Sequence, residues 1–404
     1  MDVDVFYCEG WDSLACEVVG PLSAELAAER DRAGEQYAAL FSRDDAPVAL
    51  VEIAWGESYL NMWVFDEAGD RVAQIETHRL GDVLAVKSVR QWEYEEEDYE
   101  FADEALYRHR RLLPGGSDWT ARIQKLSRSG GLLGSNRVSG ESANTVAVPI
   151  FGQWVRSTAL LELLEPAPDS WGTVRDVSDP HGRGLSPEAR PWRPPGPPQP
   201  IWMDHLLAAG TEGFDDCGYL ATIELEQTGV LRMPTGRLVV QDPCYDDEEP
   251  YAVTVPPGNY PVVESNSYRV DSDNYVTLLT ASVVVADEPV TSWEPAVRTD
   301  DRVWMLESDE SFCFGVDSGS GCFYDAGTNI HRLLIADQDT KHDFMVDEDV
   351  SFEHPSAPGN LIKFNTGGDG GFPVWIGRTV DGRVARFVAD FRTSSESFVP
   401  EEFD

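Results

Sequence analysis

The stretch Val374-Trp-Ile-Gly-Arg-Thr-Val-Asp381-Gly382-Arg-Val-Ala-Arg-Phe-Val-Ala-Asp390-Phe391 decides the fold class. Two runs rich in β-branched and aromatic residues flank an Asp-Gly pair, and its glycine reaches the positive φ that a tight hairpin turn requires. On the return run Ala385, Phe387, Ala389 and Phe391 fall on one face, while Val384, Arg386, Val388 and Asp390 fall on the other. This alternation predicts a half-buried antiparallel strand with Asp390 on its more polar side.

Working outward, residues 276–286 form the longest apolar run, broken by Thr277, Thr280 and Ser282. It is far short of the roughly 18–20 residues of a membrane span and reads as a buried strand. Residues 202–209 read as a short helix. In the first half, Leu22, Leu26, Ala33, Tyr37 and Leu40 recur at helical spacing after Pro21, and Ser23 is placed to cap a helix over residues 22–41. Short β-rich runs follow at 48–55, 59–65, 72–76 and 83–92, with Asp66-Glu-Ala-Gly-Asp70 as a hairpin turn. The glycine- and serine-dense segment 115–140 reads as a mobile loop. Residues 179–200 contain eight prolines in 22 positions, a composition that excludes a helix interior or a central strand.

The expected fold class is therefore mainly β with a few helices (α+β), in two domains with antiparallel sheets. An N-terminal helix-plus-meander module at 1–178 and a β-rich domain at 201–404 flank the proline-rich linker at 179–200.

The chain has 404 residues, too many for one ordinary core, and carries 31 basic against 72 acidic residues for a net charge of −41. Such a charge repels phosphate backbones and anionic lipid, so the expected partner is a protein with a basic surface, with neither direct nucleic-acid binding nor a membrane role. The acid is uneven. Residues 1–200 hold 19 basic and 34 acidic side chains, and residues 201–404 hold 12 and 38. The first residues lack both the basic and the apolar parts of a secretory signal, which leads to the expectation of a cytoplasmic location. Six cysteines occur without any C-x-x-C pair, so free thiols are expected.

The second half resembles a bacterial family known as domain of unknown function 4241. The likeness rests on Thr235-Gly-Arg-Leu-Val-Val-Gln-Asp-Pro-Cys244, Val255-Pro-Pro-Gly-Asn-Tyr-Pro-Val262, Gly315-Val-Asp-Ser-Gly-Ser-Gly-Cys-Phe-Tyr-Asp325 and Gly367-Gly-Asp-Gly-Gly-Phe-Pro373 leading into the hairpin. It spans most of residues 225–391 and brings a fold-level grouping without an activity.

Within those motifs Asp242, Asp317, Asp325 and Asp369 sit in glycine- or proline-flanked turns. Oxygen ligands from four carboxylates suit a hard divalent cation, and a metal-assisted hydrolase is the chemical reading of that set. The competing reading makes each aspartate the hydrogen-bonding hub of its own turn. No cofactor is expected on either reading beyond such a cation. Asp337-Gln-Asp-Thr-Lys341-His342-Asp343 imitates part of a calcium loop, but Lys341 and His342 occupy positions that need a ligand and a glycine, so it reads as a solvated acidic loop. His331 and His354 flank it. A second candidate surface is Tyr94, Glu95, Glu96, Glu97, Asp98 and Tyr99, where aromatics interleave with carboxylates in a way suited to a basic partner.

With no complete catalytic signature, the expected function is a non-enzymatic acidic protein-binding module, in one version immunity- or antitoxin-like toward a basic effector. The hydrolase and a structural component of a larger assembly are the alternatives.

Overall fold

The computed structural model describes residues 2–12, 17–94, 106–113, 119–127, 131–168, 171–177, 182–183, 192–245, 249–271, 275–307, 310–346, 350–392 and 398–400. The chain divides into two compact units, Met1–Gly196 and Pro197–Asp404, and is mainly β. Among the described residues no helix is long and apolar enough to cross a membrane.

The first unit is built from β1 (Asp2–Asp12), β2 (Glu17–Leu22), α1 (Ala24–Ala33), β3 (Tyr37–Arg43), β4 (Ala46–Ala54), β5 (Tyr59–Phe65), β6 (Arg71–Leu80), β7 (Val83–Glu93), β8 (Leu106–Leu112), β9 (Ala121–Leu126), β10 (Leu132–Val138), β11 (Thr145–Ala147), α2 (Thr158–Leu161), β12 (Thr173–Asp176) and β13 (Gly182–Arg183). These strands make one sheet in the order β10-β9-β8-β7-β6-β5-β4-β3-β1-β2-β13, with β11 added to β7 and β12 to β1. From β3 to β10 the path follows chain order, as short hairpin connections dictate. Val3, Val5, Tyr37, Phe41, Val51, Ile53 and Met62 bury one face, and Trp154, Leu160 and Leu161 from the segment around α2 close over it. Each fully buried aliphatic or aromatic side chain contributes about 1.5–3 kcal/mol. Lys87 Nζ and Glu76 Oε1 form an ion pair of 2.8 Å with side chains only 9% and 6% exposed. At the far end β10 is the last strand of the path, with Leu132 and Leu133 58% and 61% exposed.

Two sequence expectations need correction in this unit. The helix stops at Ala33, because Gly34 adopts φ +76° and turns its amide back onto helix carbonyls; Tyr37 and Leu40 belong to β3. Ser23 does cap it, accepting from Leu26 N at 3.2 Å. Strand β3 is buried on both faces, Phe41 in the main core and Leu40 in a second cluster with Cys8, Leu50 and Phe65, so its continuous apolar run has no period-2 signature. The glycine-rich 115–140 segment contains strands β9 and β10, whose alternation is masked by polar residues on both faces. Within the proline-rich run, Trp192 packs against Tyr59 at 6.0 Å between ring centres.

The second unit comprises α3 (Met203–Leu206), β14 (Glu212–Asp215), β15 (Leu220–Met233), β16 (Leu238–Gln241), β17 (Gly258–Arg269), β18 (Val276–Val284), β19 (Ser292–Pro295), β20 (Cys313–Val316), β21 (Ser320–Asp325), α4 (Ile330–Ala336), α5 (Gln338–Val346), β22 (Ser351–Glu353), β23 (Asn360–Asn365), β24 (Gly370–Arg378), β25 (Val384–Asp390) and β26 (Phe398–Pro400). A nine-stranded sheet in the order β19-β24-β25-β18-β17-β15-β14-β26, with β20 on β24, faces a four-stranded sheet β16-β21-β23-β22. Val262, Ala281, Phe387 and Ala389 of the first meet Leu238, Val240, Phe323 and Phe364 of the second in the main core. Helices α4 and α5 cover the outer face of the smaller sheet through Ile330, Leu334 and Phe344.

The hairpin that opened the sequence reading is β24–β25, and Gly382 holds φ +79° at its turn. Its return strand is buried on both faces rather than one. Val388 packs with Met203, Leu206 and Phe398 on the side opposite Phe387, and Asp390 is 6% exposed. Of the residues that cover this second face, Met203 and Leu206 lie far away in sequence. Residues 338–346, read as an acidic loop, form α5, with Asp337 accepting from Thr340 Oγ1 at 2.6 Å at its start.

Candidate functional site

The carboxylates singled out in the sequence fall into distinct settings. Asp242 follows β16 and is 1% exposed. Its Oδ1 accepts from Cys244 N at 2.7 Å, and its Oδ2 accepts from Asp317 N and Ser318 N at 2.9 and 2.8 Å, tying its own turn to the one joining β20 and β21. Asp325 ends β21 and is fully buried. It accepts from Thr235 N and Gly236 N, both at 2.9 Å, from the Thr235 hydroxyl at 2.5 Å and from Gly327 N at 2.7 Å. Four donors saturate a carboxylate's working capacity.

Asp317 and Asp369 are exposed. The Asp317 carboxylate raises the ionisation range of the neighbouring Tyr245 phenol by its charge and a hydrogen bond. Among the described residues, no group of three or more His, Cys, Asp or Glu ligand atoms within 4.8 Å of one another includes any of these four aspartates; Asp215, Asp216 and Cys217 make such a group. Asp215 is itself a turn brace, accepting from Cys217 N and Tyr219 N at 3.0 and 2.9 Å and pairing with Arg269. His331, 2% exposed under the smaller sheet, stacks on Tyr324 with ring centres 5.2 Å apart. In the acidic run, Tyr94 donates its hydroxyl to Arg71 O at 2.8 Å, while Glu95, Glu96, Glu97, Asp98 and Tyr99 lie outside the described residues.

Asp369 opens onto a cleft. The turn between β23 and β24, with Gly367 at φ +75°, forms one wall. Strands β17 and β18, locally shifted in register at Ser265/Asn266, form the floor. The cleft has a volume of about 620 Å³ and is open to solvent, and Asp215, Asp216, Glu264 and Asp369 all line it. The lining guanidinium of Arg392 is already committed to Asp390, Nη2 to Oδ2 at 2.7 Å, so it does not neutralise them. Glu264 sits directly opposite Glu226 on β15. Burial, and then the Glu226 charge, push its carboxyl up to about 7. The cleft therefore changes charge near neutrality. At its mouth Tyr275 is 42% and Val276 47% exposed. The Arg269 guanidinium lies over the rings of Tyr219 and Tyr275, 4.3 and 3.6 Å from their centres, and holds Tyr275 at the rim.

Sequence reasoning passed over Asp215, Asp216 and Glu264. Nothing local marks them, because their convergence comes from the pairing of β14, β15 and β17, which is set by long-range register. What the fold and site define is an antiparallel β protein with an acidic, tyrosine-rimmed cleft on its second unit. Residues 231–389 match the model of the family described as Protein of unknown function (DUF4241), and the second unit carries that domain. No curated protein matches. A crystal structure of a tryptophan-to-alanine mutant of the vaccine antigen Transferrin Binding Protein B from Haemophilus parasuis aligns at 6% identity and a TM-score of 0.12, over 88% of this chain and 65% of that one. The chain thus spans about two thirds of that protein's matched chain, at a similarity that carries no argument.

Proposed function

We propose that this protein is an acidic, non-enzymatic binding module whose second unit receives a cationic segment of a protein partner in the cleft beside Asp369, an immunity- or antitoxin-like arrangement against a basic effector being its specific form. The observation that carries the reading is the convergence of Asp216, Glu264 and Asp369 on one cleft where Arg392 is already paired with Asp390 and Arg269 with Asp215. A partly desolvated carboxylate cluster strengthens its attraction for Lys and Arg side chains, and the exposed Tyr275 at the mouth supplies stacking surface for them. The metal-assisted hydrolase draws less support, since Asp242 and Asp325 spend their oxygens on backbone amides.

The test is calorimetric titration of the full chain with a lysine- and arginine-rich peptide. Asp216→Asn, Glu264→Gln and Asp369→Asn together are expected to weaken binding by about tenfold or more. Neutralising the exposed Asp44, Asp45 and Glu57 of the first unit instead controls for the general charge of −41 and leaves the affinity near that of the parent. Equal losses in the two triple variants would reduce the cleft to an ordinary part of an acidic surface and end the proposal.

A further inference from the structure

The first unit carries the opposite electrostatics in one place. Between Leu106 and Val138 the sequence holds seven lysines and arginines and one acidic residue, Asp118, in a chain where acids outnumber bases by 72 to 31. Strand register organises these charges. Arg111 of β8 lies opposite Arg122 of β9, and Arg122 lies opposite Arg137 of β10, so three guanidinium side chains form a row across three strands on one face. Neighbouring strands are about 4.8 Å apart, and like charges placed directly opposite one another destabilise a sheet. Such a row attracts an anion laid along it.

On the same face, two residues along each strand, the next row is Arg90, His109, Gln124 and Ser135, and beyond it come Trp92, Tyr107 and Leu126. Trp92 and Tyr107 have ring centres 5.7 Å apart, as do Tyr107 and His109. Successive rows are about 7 Å apart. An arginine row, a polar row and an aromatic row in that order match the sequence of groups met on passing from the phosphate of an unpaired nucleotide, across its sugar, to its base.

We infer that the β8–β10 face binds single-stranded nucleic acid, with phosphates along Arg111, Arg122 and Arg137 and bases stacked toward His109, Tyr107 and Trp92. A positively charged track beside stacking aromatics is the general solution for unpaired strands, whereas an acidic peptide has no use for the aromatic row. The whole-chain charge of −41 opposes the encounter only over distances that salt does not screen. At about 0.1 M salt the Debye length is about 10 Å, and the local row governs. Binding is accordingly weak at very low salt, strongest near physiological ionic strength, and weak again at high salt as the phosphate contacts are competed away.

The experiment is fluorescence anisotropy of a labelled oligothymidylate of about twelve nucleotides titrated with the full chain, with an expected Kd between about 1 and 100 µM. Arg122 and Arg137 are both exposed, so Arg122→Glu with Arg137→Glu leaves the fold intact by circular dichroism and weakens binding by about tenfold or more. Tyr107→Leu weakens it several-fold. The charge-matched control, Arg32→Glu with Arg156→Glu, alters exposed arginines off the β8–β10 strands and leaves the affinity near that of the parent. No binding at any salt concentration, equal losses in both double variants, or tighter binding of a polyglutamate peptide than of the oligonucleotide would each overturn the inference, the last by assigning the face to an acidic protein.

Discussion

Replacing Asp325 with asparagine exchanges one carboxylate oxygen for an amide nitrogen at a fully buried position that accepts four hydrogen bonds. The cheaper orientation keeps oxygen toward Thr235 N and Gly236 N. It puts nitrogen toward the Thr235 hydroxyl, which can rotate to accept, and toward Gly327 N, which cannot. One bond is lost outright, and the two that remain on oxygen fall from charge-assisted to neutral strength. Hydrogen bonds to charged groups contribute about 1.5–3 kcal/mol and neutral ones about 0.5–1.5, so the expected cost is about 2–4 kcal/mol, a large part of a domain's total stability. Hydrogen exchange of the full chain in increasing urea reads this locally: amides of β16 and β21 lose protection, while those of β3 and β4 in the first unit serve as an unchanged internal reference. Asp242→Asn is expected to cost a similar amount, because an asparagine there can keep oxygen toward Asp317 N and Ser318 N at neutral strength and loses the bond from Cys244 N outright. Unchanged protection in Asp325→Asn, or protection in the parent chain that rises on adding calcium or magnesium, would refute the assignment of Asp325 as a turn brace.

Three further outcomes are expected. Glu264 holds its proton in the folded state up to about 7 against an ordinary 4.5, so the unfolded chain releases that proton first. Stability then falls as pH rises between those values, by about 3 kcal/mol at about 1.36 per pH unit, and Glu264→Gln removes this dependence in urea midpoints compared at about pH 5 and 8. Gly236 holds φ +70°, and a Cβ there would lie 1.7 Å from Val255 O, so Gly236→Ala abolishes folding of the second unit; a native-like exchange pattern in that unit would contradict the packing described. Lys87→Met strands the buried Glu76 charge and costs the first unit about 3–5 kcal/mol by chemical denaturation, most of which returns in Lys87→Met with Glu76→Leu.

What the sequence disclosed follows the range of the interactions involved. The β24–β25 hairpin, the Asp66–Asp70 turn and the Ser23 cap are written within a few residues, and all appear in the structure. In the hairpin turn at 66–70, Asp66 Oδ1 accepts from Ala68 N and Asp70 N at 2.9 and 3.0 Å, the local bonding that aspartate favours there. Strand β3 escaped because burial on both faces removes alternation, and its apolar run happens to continue the spacing of α1. The burial of Asp390 escaped because α3, which covers that face together with Phe398, is remote in sequence. The glycine-flanked aspartates were legible as special positions, but their roles were not. Asp242 and Asp325 turned inward to backbone amides, whereas Asp369 turned outward beside Glu264, and only the pairing of distant strands separates these cases.

The outer edge of β10 has a bearing on how the molecule behaves in company. Among the described residues its backbone amides and carbonyls on that side have no neighbouring strand in the sheet, and Leu132 and Leu133 stand beside them in solvent. Such a margin is a template for edge-to-edge growth, which proteins ordinarily block with a covering loop, a proline or a charge. On β10 the exposed Arg137 is such a charge, and with Arg122 beside it a like-charged row faces any second copy brought to this margin. High salt screens that row, and the concentrated protein is then expected to turn cloudy through edge-to-edge stacking of folded molecules, read as light scattering that rises with ionic strength.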